Sequence, residues 1–405
     1  MNAFKRKYLL WKFFLCLNKL HYYLLAVCLL LLGGCRSGGR SAASAIADQQ
    51  MERITLQTAT KTEMPLSRFA QSIHYTYLET TPESLVGGID KLETAGGRYF
   101  IMDMDNTQSL TVFETTGAFR YRLRQGRGQG EFASLNDFSI DEAGGVLYIL
   151  DATGKRIHRY RLDDGRYLSS LPVADYYQKM QILPDGYILL LRDGNNFESS
   201  SPPYQYNLIC RIDSAGAWDK GWQLAPINPY LNIGQIAVTA AGNDDYLMSR
   251  AFSDTLYRYH GNEVVAAYLL EFEDNPLPAA FYRADQQDAF SEFLGRHVYF
   301  GGNVKETADF MFIEYVDAQR GGLVLYDKQA KTGHAITLAN DIDGVPISKF
   351  DFAGPNQVIA AIRPVELELL RPHEADIDST QFSEILQHTD ANSNPVLAII
   401  TLLTM

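Results

Sequence analysis

Cysteine is scarce: four residues in 405, at positions 16, 28, 35 and 210. Only Cys210 lies in the body of the chain, so a disulfide framework is excluded there. In Leu208–Ile212 (LICRI) it reads as the buried, inert thiol of a strand. The HExxH, G-x-S-x-G and C-x-x-C motifs are missing, which removes zincins, α/β-hydrolases and dithiol redox chemistry. An enzyme assembled from residues distant in sequence is not removed by that. Positive charge is in deficit as well. A net charge of -12 argues against a nucleic-acid partner, whose phosphates need a basic surface. What is present is 46% hydrophobic residues, enough for a substantial core.

The N-terminus is read apart from the fold. Lys5, Arg6, Lys7, Lys12 and Lys19 precede the apolar run Tyr22–Leu32. That run is shorter than the about 20 residues a membrane helix needs, and small residues follow it, as in a cleavable signal. Leu32-Gly33-Gly34-Cys35 resembles a bacterial lipobox, where cleavage precedes a cysteine that carries lipid. The resemblance implies a signal peptide over 1–34 that takes Cys16 and Cys28 with it, and lipidation of Cys35. Residues 35–69 are then the lipidated cysteine and a flexible tether, with Arg36–Ala47 small and polar. Several acyl chains on one cysteine anchor stably to a membrane. By resemblance to Gram-negative lipoproteins, Arg36 in place of Asp points to the outer membrane. The lack of an acidic run after Cys35 favours its periplasmic face over the cell surface.

From residue 70 onward the pattern is strand, turn, strand. In Gly126–Gly165, Asp137–Asp141 alternates, Gly144-Gly145 turns, Val146–Asp151 (VLYILD) is apolar, Thr153-Gly154 turns, and Ile157–Leu162 alternates again. Similar units recur around Tyr99–Met104, Tyr187–Arg192, Tyr246–Arg250, Asp309–Tyr315 and Val358–Arg363. Their spacing, on the order of 40 to 65 residues, lies in the propeller range. The expected fold over 70–405 is all-β: a six-bladed β-propeller of four-stranded antiparallel blades. Ile73–Leu78 (IHYTYL) has no place in the first unit and is expected to complete the last. Two stretches interrupt the strands and predict short helical insertions: Pro278–Gly295, and Ala375–Thr389 within the last unit.

Gly126-Arg127-Gly128-Gln129-Gly130-Glu131-Phe132, with Asp137-Phe138 and Asp141 after it, resembles a six-bladed propeller family of Gram-negative lipoproteins related to NHL and TolB-type propellers. Gln129 stands where the family pattern has proline. Asn340–Gly344 and Asn394–Leu397 also match. The resemblance implies a fold and a binding scaffold, and names no reaction.

Candidate sites follow from local chemistry. The Gly126–Gly130 loop leads into a strand, not a helix, so it is no phosphate cradle. Its glycines are expected to allow positive φ, and Glu131 to accept backbone N–H groups. Arg127 and Glu131 are its candidate binding residues. Asp341 and Asp343 alternate before Gly344, like a fragment of a calcium loop without the remaining ligands. They are kept as binding residues, and no cofactor is expected; a Ca2+ ion would be the one to seek there. Asp103 and Asp105 pose the same question. Glu366 and Glu368 are expected on one face of a strand. Tyr204, Tyr206, Trp218, Trp222, Tyr230, Phe281 and Tyr282 are aromatics for a sugar or peptide, or for rim packing. No catalytic residue is assigned. The expected role is a lipid-anchored module for a glycan, peptide or protein. The competing role is a metal-dependent lactonase-like or carbohydrate-active hydrolase at a channel mouth.

The lipid assignment is open to direct test. Metabolic labelling with a clickable fatty acid should mark the wild-type chain and leave Cys35→Ala unlabelled; a labelled Cys35→Ala removes the lipobox reading.

Overall fold

Apolar strands buried on both faces dictate this architecture. The second strand of the opening repeat, Arg98–Asp103 (β4), is buried from Tyr99 to its end, and Ile188–Leu191 (β12) throughout. Such strands need a neighbouring sheet on each side. The computed structural model describes residues 51–403, apart from 193–201, 206, 225–235, 243, 284–286, 319 and 372–379. Its strands form four separate four-stranded sheets and one nine-stranded sheet.

Each four-stranded sheet is an antiparallel meander. Unit one is β3 (Lys91–Ala95), β4, β5 (Ser109–Glu114) and β6 (Phe119–Arg124). Unit two is β7 (Asp137–Asp141), β8 (Val146–Asp151), β9 (Arg156–Arg161) and β10 (Tyr167–Pro172). Unit three is β11 (Lys179–Ile182), β12, β13 (Ile209–Ile212) and β14 (Trp218–Trp222). The nine-stranded sheet holds two further meanders. Unit four runs from β15 (Ile236–Gly242) to β18 (Glu263–Phe272), and unit five from β19 (Val298–Glu306) through β20 (Phe310–Asp317) to β22 (Thr332–Ala339). Unit six is β23 (Phe352–Ala353), β24 (Gln357–Ile362), β25 (Val396–Leu402) and β2 (Ala70–Tyr77).

An apolar cluster fills each gap between successive units. Phe100 and Met102 meet Phe138 and Leu147; Leu150 meets Met180; Leu191 meets Ile236 and Met248. Leu247 meets Ile313, Phe312 meets Ala360, and Ile359 meets Tyr99 and Ile101, which returns to unit one. Four-stranded sheets packed face to face in a cycle are the β-propeller arrangement, which buries both faces of every sheet.

The N-terminal strand closes the cycle as expected. β2 pairs antiparallel with β25, Ile73 opposite Ile400 and Tyr75 opposite Ala398. Gly117 packs under this strand: a Cβ there would lie 2.0 Å from the Tyr77 carbonyl oxygen, and its φ is +88°. The helical insertions are also present, as α1 (Gln287–Leu294) and α3 (Thr380–His388).

Two expectations differ. Residues 51–69, assigned above to the tether, are structured. Glu52–Pro65 is strand β1, paired parallel with β18 over Glu52–Leu56 and with β22 from Leu56 to Pro65. Alternate burial of Ile54, Leu56 and Thr58 drives it into the gap between units four and five. Glu366 and Glu368 lie not on a strand but on helix α2 (Pro364–Leu370). Pro364 at its first turn and a reciprocal Arg363–Glu366 cap start that helix. Cys35 and the segments 1–34 and 36–50 lie outside the described residues.

If β1 is integral, its buried face should govern stability. Leu56→Ala should cost about 2–5 kcal/mol in urea unfolding, against within about 0.5 kcal/mol for exposed Thr55→Ala. Equal effects would return this strand to the tether.

Candidate functional site

The first strand of each unit lies against the first strand of the next, so β3, β7, β11, β15, β19 and β23 form the inner wall. Each is also the edge of its own sheet, with backbone groups that no ladder partner meets. Side chains of the neighbouring unit meet them instead. The Asp137 carboxylate accepts the Met180 N–H at 2.9 Å, and the Ser139 hydroxyl accepts the Ile182 N–H at 3.0 Å. The other oxygen of Asp137 binds Lys91 Nζ at 3.0 Å. Lys91 also donates to the Phe138 carbonyl at 2.6 Å, pairs with Glu93 at 2.9 Å and sits over the Phe138 ring. Lys179 Nζ lies 4.0 Å from Asp137. One carboxylate thus ties three consecutive units.

Burial alone would depress the Lys91 ammonium; the Asp137 and Glu93 carboxylates outweigh it and hold Lys91 above its ordinary value. Glu93 moves the other way from a paired acid. Burial pushes its carboxyl up, against the pull of Lys91 and, farther off, Lys305.

A second polar group occupies the far side of the wall. Lys305 and Asn303 are on β19, Glu314 is on β20, and Lys349 and Asp351 lead into β23. The Asn303 amide donates to Glu314 at 3.0 Å, and Lys349 pairs with Asp351 at 2.9 Å. Burial raises the Glu314 carboxyl and lowers the Lys305 ammonium.

Repeated anchors hold the wall in place. Asp103, at the end of β4, accepts N–H bonds from Gly87, Gly88 and Asn106 and a hydroxyl bond from Thr107. Asp151, at the end of β8, does the same for Ala133, Ser134 and Gly154. Burial by itself would raise both carboxyls; these donors win and hold them below the ordinary value. In unit three the polarity is reversed. Buried Arg192 takes the strand-end position and binds Asp175 in the leading loop.

The residues singled out from sequence fall in two separate linkers. Arg127 is exposed, and among the described residues no hydrogen bond or ion pair holds its side chain. Glu131 accepts the Gly128 N–H at 2.6 Å, and its carboxylate fills the space a Cβ on Gly126 would need. Gly130 alone of these three glycines has positive φ, +80°. Asp341 binds the Ser67 backbone N–H at 2.9 Å and the Ser67 hydroxyl. Asp343 accepts from Tyr75 Oη at 2.8 Å, Asn340 and Val345. This second pair therefore braces β2, far in sequence from Arg127 and Glu131. Among the described residues no three His, Cys, Asp or Glu side chains gather as a metal site. Tyr204 packs edge-on against Trp218, Trp222 against Tyr259, and Phe281 against Phe290, with Phe252 tilted against Phe281. Tyr282 is exposed, and Tyr206 and Tyr230 lie outside the described residues. Cys210 is buried, and burial pushes its thiol up to about 11.

Sequence reading passed over the inner wall. The signal was available: Lys91, Asp137 and Lys179 each open the first strand of their unit, opposite Met102, Leu150 and Leu191. Aligned by unit, they read plus, minus, plus.

A family profile described as "Domain of unknown function (DUF4934)" matches residues 51–401. Among solved structures the chain is similar to a protein described as exported, from Bacteroides fragilis NCTC 9343. The identity is 19%, the TM-score 0.72, and the match covers 87% of this chain and 100% of that one. It also matches BamB from Moraxella catarrhalis (9% identity, TM-score 0.40, 73% and 72% of the two chains). A third is the β-propeller domain of Cps50 (Swd1) from Myceliophteria thermophila (9% identity, TM-score 0.38, 71% and 96%). No curated protein matches.

Removing the Asp137 carboxylate strands a largely buried ammonium and a backbone N–H. Asp137→Ala should cost about 3–5 kcal/mol in chemical denaturation. The double variant Asp137→Leu, Lys91→Met should recover part of that loss. Additive losses would mean that the two residues do not form one tie.

Proposed function

The chain belongs to the DUF4934 family, and we propose that it is a lipid-anchored six-bladed β-propeller of the cell envelope that binds a protein, peptide or glycan at the mouth of its inner wall. One observation carries the binding reading. Most charged groups of the wall are engaged with each other or with backbone groups of the next unit, as Lys91, Asp137 and Glu93 are. A general acid or base must be within reach of the proton it moves, with its own valence open. Groups held this way build a rigid platform instead. The leader, the Cys35 junction and the similarity to an exported protein support the address.

The mouth is marked by Asn136 and Tyr176, which precede β7 and β11 and lie 3.5 Å apart through Nδ2 and Oη. Tyr176 is 37% exposed, enough to carry a probe. A photoreactive residue at position 176 should yield one discrete envelope adduct in living cells, competed by added purified protein. Turnover of a lactone or glycoside by the purified chain, lost in Glu93→Gln, would replace the scaffold reading with a hydrolase.

A further inference from the structure

One cation of the inner wall makes no direct ion pair among the described residues. Lys305 lies on β19 with its backbone opposite Phe312. Among the described residues its side chain has no hydrogen bond or ion pair, whereas Lys91, Lys179 and Lys349 each have a carboxylate within 4.0 Å. The nearby carboxyls are engaged elsewhere: Glu93 by Lys91, Glu314 by Asn303, and Asp351 by Lys349 and the Ala361 N–H. Lys305 is only partly buried, although it sits on an inner strand. It couples electrostatically most to Glu314 and Asp351 nearby, and also to Lys91 and Glu93 on β3. Units five and one are not neighbours in the cycle, since unit six packs between them. Lys305 is thus within electrostatic reach of a unit two places away in the cycle, as a partly exposed side chain on the inner strand β19 would be.

We infer that Lys305 is an anion-binding group of the inner wall and that it receives the carboxylate of a small organic acid. This inference rests on the binding-module reading above. An unpaired ammonium in a partly dehydrated setting gains most from a ligand that supplies one negative charge. Two neighbouring lysines, Lys91 and Lys349, repel Lys305 and would attract the same anion. Glu93 and Glu314 are already engaged by Lys91 and Asn303, which offsets part of their repulsion of an incoming anion. Lys305 and the Asn303 amide together offer the two donors that the paired oxygens of a carboxylate accept. The Asn303 amide stands on the same strand face as a further donor, two residues away. Sugar acids and peptide C-termini both present this carboxylate.

Calorimetric titration of the purified chain with D-glucuronate, N-acetylglycine and inorganic phosphate tests the assignment. One or both carboxylates should bind one to one, and the two arms separate a sugar acid from a peptide end. Lys305→Met should weaken that binding by at least about tenfold, and Lys305→Arg should retain part of it. Binding should also fade as pH rises, below the about 10.4 at which an ordinary lysine titrates. Removing an unpaired, partly buried charge should leave the melting temperature of Lys305→Met unchanged or higher. No binding of either carboxylate, equal binding by Lys305→Met, or tighter binding of phosphate overturns the site. A lower melting temperature for Lys305→Met, with binding unchanged, makes Lys305 a structural residue. If the position-176 adduct persists while the carboxylates fail, only this site falls and the scaffold reading stands.

Discussion

An antiparallel meander that radiates from an axis must present an open edge to the centre, and the rest of this molecule depends on how that edge is satisfied. Asp137 does it for three units at once. Its carboxylate accepts the Met180 N–H and the Lys91 ammonium, so unit two holds both neighbours through one side chain. A buried pair of this kind contributes little over a well-packed apolar substitute, but breaking it by half is costly. Its value lies in register. A one-residue slip of β11 would withdraw the Met180 and Ile182 N–H groups from Asp137 and Ser139 together.

The two sides of the inner wall are built differently. Between units one, two and three, opposite charges alternate and are closed by direct contacts. Toward units five and six, the pairs Asn303–Glu314 and Lys349–Asp351 form within single neighbourhoods and leave Lys305 over. The first arrangement suits a wall that must not move. The second leaves the Lys305 ammonium without a direct partner among the described residues.

Much of the fold was legible because its determinants are local. Val146–Asp151 and its flanking glycine turns lie within one short window, and the solitary strand at Ile73 had nowhere to go but the last unit. β1 was not read, although Arg53–Thr58 alternates, because its small polar surroundings resemble a tether and its partners lie at 268–272 and 333–339. Glu366 and Glu368 were misplaced for the opposite reason: two residues apart on a strand share a face, and the cap that makes them helical sits at Arg363 and Pro364. The candidate site was hidden by distance. Lys91, Asp137 and Met180 meet in space while each looks ordinary in its own hairpin. The motif at Gly126–Glu131 drew attention because it is contiguous, and its carboxylate proves to be occupied by its own loop.

The first two strands also set the order of events in folding. β1 waits for partners at 268–272 and 333–339, and β2 waits for 396–402. Until units four and five are made β1 has no ladder to join, nor has β2 until the last strand is available; both are until then unpaired strands of mixed polarity. Contacts of such long sequence separation pay their loop-closure entropy before any return, so ring closure is a late and slow event. The middle units, closed by local hairpins, can form beforehand. A chain that is cut short anywhere before Val396 therefore leaves not one ragged end but two, at opposite termini of its sequence.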